Sequence, residues 1–266
     1  MDTPMRYITV TALSHTGLIR EHNEDSLVAG PWTLCGTVTE NPHTLVFPVG
    51  SPLVVAVADG IGGQPGGEVA SALTVAHLAA LGPSLDSEDA VRQALTRCNR
   101  AVYAAAERDR ALTAMGTTVA GAVILPDALL VFNVGDSRVL EAGDDGLRQV
   151  SVDDSPPLRE GQRTTSLVTQ AIGGAPRFSA ITPHVRSVPL AQDRRYVVCT
   201  DGLTDPVLEE EIAEVLRAHD GGRAVFELWK AAMEAGAPDN ITLALVAVEG
   251  EEEPQVEGEE GPERAR

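Results

Sequence analysis

Two apolar runs in this chain end alike. V-V-A-V-A-D-G occupies 54–60 and Y-V-V-C-T-D-G occupies 196–202. Each delivers an aspartate, Asp59 or Asp201, where a buried strand reaches the sheet edge, followed by a glycine that lets the chain turn sharply. A third acidic site, A-P-D-N-I-T at 237–242, sets Asp239 before the last apolar run, and N-E-D at 23–25 sets Glu24 and Asp25 after the first. Any one of these alone reads as an ordinary turn. Together they are far apart in sequence, yet each sits at the end of a core element, where all can converge. Converging carboxylates repel one another unless cations lie between them, so the cluster implies metal. All-oxygen ligands without nearby Cys or His favour Mg²⁺ or Mn²⁺ over zinc.

Other chemistries find less support. Lys230 is the only lysine, and it lies in the helical pattern E-L-W-K-A-A-M, so a Walker-type phosphate loop and Schiff-base chemistry are disfavoured. The stretch G-I-G-G-Q-P-G-G (60–67) fails the dinucleotide-binding spacing because Pro65 falls at a required glycine. Cys35, Cys98 and Cys199 are odd in number, widely spaced and without a C-x-x-C pair, which suits a reducing cytosol. A net charge of −19 repels nucleic acid. Neither a leader pattern nor an apolar run of about 20 residues occurs, so no membrane association and a cytoplasmic location are expected.

The elements that must position these acids follow from the apolar pattern. Runs at 7–13, 53–58, 118–125, 129–134, 137–142, 195–199 and 242–248 read as strands. Helical spacing predicts a helix over 68–81 burying Val69, Leu73, Ala76 and Ala80. A second, over 86–108, starts at the capping-type D-S-E-D and buries Val91, Leu95, Cys98, Val102 and Ala105. Two more amphipathic helices fall at 208–218 and 223–235. Successive strands joined by short turns, without βαβ alternation, predict an α+β fold of two stacked, mostly antiparallel sheets between helix layers. Residues 31–52 are expected to be an irregular insertion, and 250–266 a disordered acidic tail after one domain spanning 1–249.

Seven segments, in order, resemble the motifs of the PPM family, the metal-dependent PP2C-type protein phosphatases. They are G-L-I-R-E-H-N-E-D-S (17–26), V-A-D-G-I-G-G-Q-P-G-G-E-V-A-S (57–71), M-G-T-T (115–118), N-V-G-D-S-R (133–138), T-Q-A-I-G-G (169–174), T-D-G-L-T-D (200–205) and D-N-I-T (239–242). The resemblance spans about residues 6–248 and implies a four-layer αββα sandwich with pairs of helices outside the sheets. It implies two divalent cations, Mn²⁺ or Mg²⁺. Asp59 would bridge them, with the Gly60 carbonyl, Asp201, Asp239 and Glu24 as further ligands and Asp25 supporting the shell. Arg20 would grip the substrate phosphate, a role that suits a guanidinium fork. The implied reaction is in-line attack of a metal-activated water on a phosphoserine or phosphothreonine monoester, without a covalent intermediate. Substrates would be phosphoproteins made by a Ser/Thr kinase, met by a monomer.

The pattern also departs from the family. Ile61 stands where many members carry His after Asp-Gly. Thr113 and Ala114 stand where some carry an aspartate that helps hold a third metal, leaving Asp205 as a candidate ligand without that partner. Asp136 in N-V-G-D-S-R is read as holding a turn. The flap at 153–169 is shortened, which predicts a more open cleft. Two rival functions remain: a catalytically silent phosphoprotein-binding module on the same fold, and a two-metal nuclease, which the acidic charge disfavours.

Overall fold

The computed structural model describes residues 6–61, 66–158, 161–162, 164–191 and 194–250. Along them run β1 (Arg6–His15), β2 (Ser26–Ala29), β3 (Trp32–Cys35), β4 (His43–Pro48), β5 (Leu53–Ala58), α1 (Gly67–Leu81), α2 (Glu88–Arg108), β6 (Gly116–Thr117), β7 (Val119–Ile124), β8 (Ala128–Val134), β9 (Arg138–Gly143), β10 (Gly146–Gln149), β11 (Ile172–Gly173), β12 (His184–Pro189), β13 (Arg195–Cys199), α3 (Asp201–Thr204), α4 (Glu209–Ala218), α5 (Gly221–Glu234) and β14 (Ile241–Gly250). Two six-stranded sheets, in the orders β10-β9-β13-β14-β1-β4 and β12-β8-β7-β5-β2-β3, form the body, and β11-β6 makes a small third ladder. Every pairing among these strands is antiparallel.

The near-continuous apolar strands are explained by burial on both faces. In β5, Val54, Ala56 and Ala58 pack toward α1 and α2 with Leu78, Leu95 and Val102. The alternate residues Leu53, Val55 and Val57 meet Ile8, Val10 and Tyr196 of the opposite sheet. In β13 the same period of two sends Tyr196 and Val198 between the sheets, and Val197 and Cys199 toward Ile212 and Leu228 of α4 and α5. Three apolar layers thus separate four layers of secondary structure, the expected αββα sandwich.

Two expectations need correction. Residues 31–52 are not irregular: β3 pairs with β2 and β4 with β1. Both are edge strands, so only one face is covered, and in β4 only alternate residues such as Leu45 and Phe47 reach the core. Such a pattern, punctuated by Gly36 and Pro42, lacks the apolar run by which the central strands show themselves. In α1 the buried face is Ala70, Ser71, Thr74, Val75 and Leu78, whereas Ala76 and Ala80 are exposed. That helix is apolar all round, so periodicity could not select its inner face. In α2 Val91, Leu95, Cys98 and Val102 are buried as expected, and Ser87 caps the helix by accepting from Ala90 N at 3.3 Å. The acidic tail lies outside the described residues, except that Gly250 closes β14 against Arg6.

Candidate metal centre

Strand register brings the acidic segments to one end of the sandwich. His15 pairs with Ile241 and Cys199 with Leu243, so the segments leaving β1, leaving β13 and entering β14 lie side by side. In the other sheet Ser26 pairs with Ala58, setting Asp25 beside Asp59. A hydrogen bond from Thr200 Oγ1 to Asp25 Oδ2, 3.0 Å, ties the two sheets together at this edge.

The glycines after the two aspartates serve close approach rather than positive φ. A Cβ on Gly202 would lie 1.8 Å from the Asn240 carbonyl oxygen, and one on Gly60 would lie 2.6 Å from Gly67 and 2.8 Å from the Glu24 carbonyl oxygen. Neither glycine has positive φ. Backbone thus presses on backbone, and any side chain would push the acids apart.

Hydroxyl and amide side chains then fix the loops. Thr117 Oγ1 donates to the Asp59 carbonyl at 2.7 Å, Thr118 N donates to it at 2.8 Å, and Asp59 N donates to Thr118 Oγ1 at 3.2 Å. Thr118 in turn shares a 2.7 Å bond with Ser137. Asn240 staples the segment carrying Arg20 and Glu24: its Nδ2 donates to the carbonyls of Thr16 and His22, and its Oδ1 accepts from Glu24 N at 2.9 Å. Ser71, on the inner face of α1, donates to the Glu24 carbonyl at 2.6 Å. These positioning residues lay inside the sequence motifs. Their roles did not show there, because Thr, Ser and Asn also suit turns and caps.

The electrostatics are those of carboxylates in want of a counter-charge. Burial pushes Asp59 well above the ordinary aspartate range, and Asp25, Asp201 and Asp239 push it further. Asp25 is raised to about 7 by burial and then by Asp201 and Asp239, against the lowering effect of its bonds to Thr242 and Thr200. Asp201 is raised by burial and then by Asp239. Glu24 is raised by burial and then by Glu68. Arg20 donates to Asp239 Oδ2 at 2.7 Å, and although burial would lower it, Asp239, Asp59 and Glu24 outweigh that effect and raise it.

Asp136, read from the sequence as holding a turn, lies near the acidic cluster. It is buried and raised to about 7 by burial and then by Asp201, with Asp205 also contributing. Asp205 is raised to about 6 by burial and then by Asp201. The structure therefore gives Asp205 an acidic neighbour, Asp136, which sequence reasoning looked for at 113 and 114.

Do these residues fit cations? Among the described residues no three His, Cys, Asp or Glu side chains already close around one point. Two buried carboxylate oxygens, Asp25 Oδ1 and Asp201 Oδ1, nonetheless lack any hydrogen-bond partner among the described residues. A buried, unpartnered carboxylate oxygen is costly unless a proton or cation meets it. With Asp239 acting on both and Asp59 bonded to Asp201, the donor set fits hard divalent ions. Neither buried thiol competes as a nucleophile, since burial pushes Cys98 and Cys199 up to about 12.

Comparison with known proteins supplies independent findings. The family model described as "Protein phosphatase 2C" matches residues 40–245. The serine/threonine protein phosphatase PstP of Mycobacterium tuberculosis is 30% identical over 252 residues, covering 89% of this chain but 44% of PstP, so the chain spans less than half of that relative. The serine/threonine phosphatase stp of Listeria monocytogenes is 31% identical over 251 residues, covering 86% of this chain and 92% of stp. In three dimensions, the catalytic domain of PstP solved with two manganese ions superposes with a TM-score of 0.75 at 30% identity, over 91% of this chain and 99% of that one.

Proposed function

The chain belongs to the protein phosphatase 2C family, and on that footing we propose that it is a metal-dependent serine/threonine phosphoprotein phosphatase. The observation that carries the reading is the convergence of Asp25, Asp59, Asp201 and Asp239 at one sandwich end, with two buried carboxylate oxygens left unpartnered. Asp59, Asp201, Asp239, Glu24 and the Gly60 carbonyl would hold two cations, Mn²⁺ or Mg²⁺, with Asp25 supporting the shell. Such cations supply an activated water and neutralise charge on the phosphoryl oxygens. The PstP catalytic domain was solved in complex with two manganese ions, which agrees with that assignment.

The chain's own groups do the rest. Arg20 has donors beyond the one given to Asp239, and it stands half-exposed at the rim, where a phosphate monoester would meet it. Thr200 and Thr242 orient the Asp25 carboxylate by hydrogen bonds, while Thr117 and Thr118 hold the Asp59 backbone. Asp136 and Asp205 beside Asp201 form the candidate position for a third cation. The protonated, buried thiols of Cys98 and Cys199 agree with hydrolysis without a cysteinyl phosphoenzyme. Opposition to a Ser/Thr kinase in the cytoplasm completes the proposal. Three free cysteines, one of them exposed, agree with such a reducing compartment. No helix among the described residues is long and apolar enough to cross a membrane.

Phosphate release from a phosphothreonine peptide, run beside nicking of supercoiled DNA in the same Mn²⁺ buffer, tests the proposal. Release that EDTA abolishes, with DNA intact, is expected. DNA cleavage without phosphate release would transfer the site to a nuclease reading, and silence in both assays by folded protein would favour the binding module.

A further inference from the structure

In this acidic molecule two long stretches of the chain carry no acid, bordered by Glu88, which pairs with Arg92 and accepts from Ser187 N. The chain carries 39 Asp and Glu in 266 residues, about one in seven, yet none occurs from Ala90 to Ala106 or from Gly161 to Gln192. The fold lays described parts of these two segments side by side. Asn99, on α2, donates through Nδ2 to the Ser179 carbonyl and accepts from Gly173 N, both at 2.8 Å. Tyr103 donates to the Gly173 carbonyl at 3.0 Å, and Arg92 donates to the Val185 carbonyl at 2.9 Å. Arg97, Arg100, Arg177 and Arg186 are exposed on these segments, and none of the four has an ion-pair partner among the described residues. Phe178, 56% exposed, lies among them, packed on Tyr103 with ring centroids 5.2 Å apart.

Guanidinium groups without an ion pair among the described residues, on a molecule of charge −19, mark a surface that acidic polypeptide would complement. The same chain carries a strongly acidic run. Residues 251–266, E-E-E-P-Q-V-E-G-E-E-G-P-E-R-A-R, hold seven glutamates against two arginines. They follow Gly250, which pairs with Arg6, and Arg6 donates to the Pro126 carbonyl in the turn between β7 and β8. Ala128, just past that turn, pairs with Pro189 of β12, three residues from Arg186 and so about 10 Å from it. From Arg92 to Arg100 along α2 is about 12 Å. Sixteen extended residues reach about 50 Å, so the run is long enough for its glutamates to meet these arginines.

We propose that the arginine face formed by α2 and residues 177–186 is the docking surface for the chain's own glutamate-rich segment 251–266. Tethering through Gly250 supplies an effective concentration in the millimolar range, so weak individual pairs suffice. Docking is electrostatic, so salt weakens it: the screening length falls from about 10 Å at 0.1 M to about 3 Å at 1 M.

The test compares amide ¹H–¹⁵N spectra of the full chain with those of the full chain carrying glutamine at all seven glutamates of 251–263. At low salt, amides around Arg97, Arg100, Arg177 and Arg186 should shift between the two proteins, and the difference should vanish near 1 M NaCl. The full chain with Arg97→Gln, Arg100→Gln and Arg177→Gln, all at exposed positions, should give tail resonances like those at high salt. No shift on this face at low salt would overturn the proposal. Shifts that grow with protein concentration would overturn it in favour of a second copy as occupant. A face indifferent to the tail glutamates that responds only to an added polyglutamate peptide would overturn it in favour of an acidic partner protein.

Discussion

Asp25 and Asp136 give the residue scale its clearest consequence. Each is raised to about 7, chiefly by burial, whereas an unfolded aspartate titrates near 3.9. The folded form therefore binds more protons than the unfolded form between about pH 4 and pH 7, and stability without metal falls as pH rises through that window. Melting curves of EDTA-treated protein should drop by several degrees from pH 5 to pH 8, and saturating Mn²⁺ should reverse the trend; a flat metal-free profile would contradict the burial argument. Asn240→Ala should lower Mn²⁺-dependent activity about 10- to 100-fold, the usual cost of losing a group that orients ligands. It removes the bonds to Thr16, His22 and Glu24 that staple the Arg20–Glu24 segment. The candidate ligands Asp59, Asp201 and Asp239 were legible in the sequence because each adjoins a core strand. Asp136 was not, because Gly-Asp-Ser-Arg between strands is also what a plain turn looks like, and only the fold reveals Asp201 and Asp205 beside it.

At the scale of elements, the strands that matter were legible because both faces are buried. The β5 segment is apolar throughout and β13 from Tyr196 onward, and their ends fix Asp59 and Asp201. The edge strands β3 and β4 were not legible, since half of each faces solvent. The inner face of α1 was hidden by its uniform apolarity, yet that face carries Ser71, whose bond to the Glu24 carbonyl links helix to site. Ser71→Ala should cost about 1 kcal/mol in urea unfolding. Gly202→Ala should cost far more, about 3 kcal/mol or greater, because the new Cβ would meet the Asn240 oxygen at 1.8 Å. Equal stability of Gly202→Ala and the parent in urea would contradict the close packing of α3 against the start of β14.

For the whole molecule, the four-layer sandwich is a frame whose one end gathers loops from both sheets. Beside that end, a cavity of about 700 Å³ is lined by Pro156, Pro157, Leu167, Thr164 and Asp205, so the flap residues border the site on the Asp205 side. A short flap, as the sequence predicts, would suit a broad range of phosphopeptides. Grafting a longer flap in place of 153–169 should narrow the range while leaving hydrolysis of p-nitrophenyl phosphate within a few-fold; an unchanged specificity profile would count against that role. The central claim concerns the carboxylates at the heart of the frame, and equilibrium Mn²⁺ binding to the full chain measures it most directly. Calorimetry near pH 6 should show two equivalents bound with release of protons, and Asp59→Asn, lacking the carboxylate proposed to bridge them, should lose tight binding of both. Folded wild-type protein that binds no Mn²⁺, or binds it equally well after Asp59→Asn, would contradict the assignment of this site as a two-cation centre.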